Sequence, residues 1–116
     1  MSENGTERSP LFDDQDQETF RAAVETWGID AQADMAEEEA AEFIAASKHY
    51  ARGKADADEL IDELADIRIM QEQLAEFIGR ERVERRIQEK MDRLRERLYQ
   101  STTADNERSE EVSDSV

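Results

Sequence analysis

The apolar positions of this chain recur at helical spacing almost without interruption between two polar ends. Phe20, Val24 and Trp27 stand at i, i+4 and i+7 and predict a short first helix from about Asp16 to Trp27, ended by Gly28. Asp30 is placed to cap a second helix that carries Met35, Phe43, Ala46 and Tyr50 and stops near Gly53, just after Arg52. Asp56 or Asp58 caps a third, in which Leu60, Ile61, Leu64, Ile67, Met70, Leu74, Phe77 and Ile78 follow the 3.6-residue period up to Gly79. A fourth segment shows only a narrow stripe, Val83, Ile87, Met91, Leu94 and Leu98, in dense charge. That pattern suits a helix burying one seam against a bundle or a second chain.

The ends lack any period. Residues 1–14 contain Pro10 and the Asn4-Gly5 turn signal and predict a flexible arm, and residues 100–116 predict a disordered acidic tail. The region between, 15–99, is expected to be one all-α domain, a bundle of about four helices. A chain of 116 residues with long amphipathic helices has little interior of its own, so the bundle is expected to be completed by association into a homodimer or homotetramer.

Charge narrows the partners. The chain carries 31 acidic and 15 basic residues, a formal charge of -16, and such a surface repels nucleic acid backbones and anionic membranes. The acidity has two readings: adaptation to a salt-rich cytosol, where counterions screen self-repulsion, or a functional surface such as a mimic of DNA. The basic residues are nearly all Arg, with Lys only at 48, 54 and 90, which favours salt adaptation. The absence of Cys removes disulfides, thiolate metal sites and a Cys nucleophile. No apolar run is long enough for a signal peptide or membrane span, and the expectation is a cytoplasmic protein.

Four acids stand out by position. Glu39 and Glu42 lie three apart in the second helix, Glu63 and Asp66 three apart in the third, so each helix offers two carboxylates to one side. Counted from a reversal near residues 52–55, Glu42 and Glu63 lie about ten residues away, and Glu39 and Asp66 about thirteen. At about 1.5 Å per residue, an antiparallel hairpin brings each pair to similar height. These acids are interleaved with Leu60, Leu64, Ile67 and Met70 or sit beside Phe43, at the edge of the packed face. Carboxylates crowded there without a cation are costly, and hard oxygen ligands favour magnesium, manganese or calcium over zinc, magnesium best of all where phosphates complete the shell. Either pair alone is commonly no more than a solvated helix face.

The stretches Trp27 to Gln32, Glu38-Glu39-Ala40-Ala41-Glu42-Phe43-Ile44, Lys48-His49-Tyr50-Ala51-Arg52-Gly53 and Asp62 to Met70 resemble the MazG-like nucleotide pyrophosphohydrolases, an all-α superfamily that includes dimeric dUTPases. Its hallmark is E-E-x-x-E followed by E-x-x-D, and the resemblance spans about Trp27 to Leu98. It implies hydrolysis of a nucleoside triphosphate between the α and β phosphates to a monophosphate and pyrophosphate, by a metal-activated water. By position, Glu39, Glu42, Glu63 and Asp66 would be the magnesium ligands, with manganese a possible substitute, and Glu38 either the neighbour that activates the water or an ordinary solvent acid. Lys48, Arg52 and Lys54 could reach the phosphates or pair with the end of the second helix. Trp27 could stack on a base or pack the first helix, and His49 reads as a surface residue. Glu37 extends the usual acidic pair to a triplet, so Glu38 with Glu42 is a competing register. The arginines of the last helix either approach substrate from a neighbouring subunit or pair with adjacent acids. The alternative function is a non-catalytic acidic interaction protein, a coiled-coil adaptor or DNA mimic.

Overall fold

A computed structural model of the protein describes residues 11–54 and 56–114. Among them the fold is all-α: α1 (Asp14–Trp27), α2 (Ile29–Ala51), α3 (Ala57–Ile78) and α4 (Arg80–Asp114). The chain divides into two units, residues 1–80 and 81–116. In the first, α2 and α3 form a hairpin and α1 packs chiefly on α3, more lightly on α2. No described helix is long and apolar enough to cross a membrane.

Local chemistry fixes each boundary. Asp13 caps α1 through a reciprocal box: its carboxylate accepts from the Asp16 N–H at 2.8 Å, and the Asp16 carboxylate accepts from the Asp13 N–H at 3.1 Å. Gly28 closes α1 and opens α2 at once, its N–H donating to the Val24 carbonyl at 2.7 Å and its carbonyl accepting from the Gln32 N–H at 3.1 Å. The cap of α2 is therefore Gly28 rather than Asp30, which falls in the first turn and complements the helix dipole. At the other end Lys54 N–H reaches the His49 carbonyl and Gly53 N–H the Tyr50 carbonyl, a Schellman closure that turns on Gly53 at φ 72°. Asp56 starts α3 by accepting from the Asp58 N–H.

The core is small. Among the described residues Phe20, Ala23 and Val24 of α1, Ala46 of α2, and Met70 and Ala75 of α3 are buried, with Gln32 the buried polar residue. Many large apolar side chains stay exposed, among them Met35, Ile44, Ile61, Leu64, Phe77 and Ile78.

Both expected chain ends differ from the structure. The predicted arm reaches too far: residues 1–10 lie outside the described residues, but Phe12 meets the Phe20 ring edge-on at 5.1 Å, and Leu11 and Phe12 line an apolar hollow with Leu64, Ala65, Arg68 and Ile69. The predicted tail is helical through Asp114, because no Pro or Gly follows Gly79 to end α4. Residues 115–116 lie outside the described residues.

Candidate metal centre

The hairpin brings three of the four acids together. One carboxylate oxygen each from Glu39 of α2 and Glu63 and Asp66 of α3 lie within 4.8 Å of one another. Glu39 and Glu63 are half-buried, and each has one oxygen, Oε2 and Oε1 respectively, that is buried and has no hydrogen-bond partner. Glu42 is exposed at the rim. Its oxygens are not in the trio, although its charge acts on both Glu39 and Glu63.

Burial and crowding shift two of the carboxyls. Burial, then the charges of Asp66, Glu42 and Glu63, raise the Glu39 carboxyl above its ordinary value. Glu63 is raised by burial and then by Glu42, Asp66, Asp62 and Glu59. Among the described residues no lysine, arginine or histidine forms an ion pair with any of the four acids. His49 pairs instead with Glu59 at 3.5 Å, nearer the hairpin turn.

This arrangement has the donor set of a hard-cation site. Oxygens around a magnesium ion at about 2.1 Å sit roughly 3 to 4 Å apart, so the trio needs only a small turn of its side chains to close on one ion. The two orphaned oxygens are the groups such an ion would satisfy, and burial of partnerless carboxylates is otherwise costly.

The remaining sequence candidates are not brought to the trio. Glu38 is exposed and points about 100° round the helix from Glu39. Lys48 follows Glu39 by nine residues, two and a half turns, which puts it on the opposite side of α2, while Arg52 and Lys54 lie exposed beyond the helix. Trp27 is 63% exposed, so it does not pack α1 into the core.

A second polar cluster escaped the sequence reading. The Arg80 guanidinium binds Glu76 at 2.7 Å and also Glu72, and Arg21 of α1 reaches Glu76 at 3.2 Å. The Arg80 hydrogen bond, followed by the charge of Arg80 and then Arg21, outweighs burial and holds the Glu76 carboxyl below its ordinary value. The signal in the sequence was the Glu76–Arg80 spacing of four.

No protein-family model, curated protein or solved structure matches this chain.

Proposed function

We propose that the protein is a magnesium-dependent nucleoside triphosphate pyrophosphohydrolase of the MazG-like type, converting a triphosphate and water to a monophosphate and pyrophosphate. The observation that carries the reading is the convergence of Glu39, Glu63 and Asp66 across the hairpin with two buried oxygens unsatisfied. Glu39, Glu63 and Asp66 would hold the metal, with Glu42, exposed beside them, as the fourth acid of the set. Bound there, the ion would offset phosphate charge and make a water molecule more acidic. Glu38, exposed on the adjoining side of α2, takes up the proton of the attacking water. Lys48, Arg52, Lys54 and Trp27 have a weaker claim, because Lys48 faces away. The protein works as a homodimer or homotetramer in the cytoplasm, where its substrate and magnesium occur.

The test is pyrophosphate release from a panel of ordinary and modified nucleoside triphosphates with magnesium or manganese. Activity on at least one member, abolished by Glu63→Gln or Asp66→Asn, is the expected result. An intact panel, in salt that keeps the protein folded, would end the proposal. The exposed apolar seam of α4 favours a second reading, a non-catalytic acidic interaction protein. That reading predicts no rise in melting temperature with magnesium, whereas an ion bound by the native state alone raises it.

A further inference from the structure

The acidic chain has two basic stretches, a short one at residues 43–55 with Lys48, Arg52 and Lys54 and no acid, and a longer one that lies along an apolar seam. Residues 80–100 carry eight basic and five acidic side chains, a net +3, whereas residues 1–79 carry six and 21, a net -15. Within α4 the basic residues are ordered. Arg86, Lys90, Arg93 and Arg97 each immediately precede one of Ile87, Met91, Leu94 and Leu98, so a basic ridge runs beside the apolar one at the same spacing of four, three and four. All eight side chains are exposed. Arg86 pairs with Glu89 at 2.6 Å, while no ion pair engages Lys90, Arg93 or Arg97 among the described residues.

This seam is poorly suited to its own copy. In a parallel pair of α4 helices Lys90 faces Arg95 across the seam, and in an antiparallel pair the basic ridges meet each other. The complementary surface is on the hairpin. Met35, Glu38 and Glu42 share one side of α2, and Asp62, Asp66, Gln73 and Phe77 share one side of α3, by their spacing of three, four or seven. Met35 and Phe77 are exposed apolar residues, and all four acids are exposed. From Asp62 to Phe77 this face runs about 22 Å, enough to receive the roughly 17 Å from Ile87 to Leu98.

We propose that the chain associates with a second copy of itself through a mixed contact, in which α4 of each lies along the acidic α2–α3 face of the other. The seam covers Met35 and Phe77 while Lys90, Arg93 and Arg97 meet the acids, a pairing of opposite potentials that also excludes the α4 self-pair. The contact needs neither metal nor nucleotide. Where that face also takes a triphosphate, which rests on the reading above, the partner's ridge supplies the cations the carboxylate trio lacks.

The experiment is sedimentation equilibrium on the full chain, free of metal and nucleotide, with folding checked by circular dichroism. A ridge variant, Arg93→Glu with Arg97→Glu, and a face variant, Glu38→Arg with Asp62→Arg, should each weaken the dimer by about tenfold or more. Mixing the two restores it, because acidic ridge then meets basic face and native ridge meets native face. A folded monomer at tens of micromolar, as expected if α4 closes on its own hairpin or stays free, overturns the proposal. So does a face variant that dimerises like the parent, the outcome for an α4 self-pair, or a mixture that stays monomeric.

Discussion

Burial, with like charge added to it, sets the sign of a pH response at the carboxylate trio. Glu39 and Glu63 bind protons more tightly folded than unfolded, so between the ordinary glutamate range and their raised values the folded chain holds more protons. Their contribution to stability therefore falls as pH rises through that window. In chelator, the melting temperature should drop from mildly acidic to neutral pH, and Glu63→Gln should flatten the drop. A curve for Glu63→Gln that parallels the parent would count against the crowding. Glu76 runs the other way: its lowered carboxyl stabilises the fold above the ordinary range and loses that contribution as pH falls through the lowered value. Because the Arg80 side chain is only 17% exposed and holds two carboxylates, Arg80→Ala should cost about 1 to 3 kcal/mol in urea unfolding. Arg21→Ala, at a side chain 54% exposed, should cost under about 1 kcal/mol.

Two glycines decide how the helices are joined. Gly28 sits at φ 88°, ψ 152°, a region almost closed to other residues, and an added Cβ would meet no atom within 4 Å. Gly28→Ala should therefore destabilise through the backbone alone, by about 1 to 3 kcal/mol. Gly53 at φ 72° occupies the ordinary left-handed well, so Gly53→Ala should cost less, about 1 kcal/mol. Urea unfolding of both variants checks the order, and an equal or reversed cost would mean that the caps, not the dihedrals, carry the strain. Helix existence was legible because apolar spacing and capping residues act locally. The cap of α2 was misplaced because Asp30 has the right side chain, yet the chain had already re-entered helix at Ile29.

Across the whole molecule, a charge of -16 on a small core makes stability depend on screening. The Debye length falls from about 30 Å at 0.01 M salt to about 3 Å at 1 M, so added sodium chloride should raise the melting temperature steadily. A flat response in a thermal melt would show that the acids are already compensated within the fold.

Helical period and rise are local quantities that spacing measures directly, so the helices as far as residue 99, the hairpin reversal and the two acidic pairs were legible in the chain alone, while the helical end of α4 was not. Tertiary structure alone decided which of those acids meet. Rotation of α2 against α3 brings Glu39 to Glu63 and Asp66 and leaves Glu42 at the rim. It also brought Arg21 of α1 to Glu76 and carried Arg80 on to Glu72, contacts that lie beyond the spacing of four linking Glu76 and Arg80.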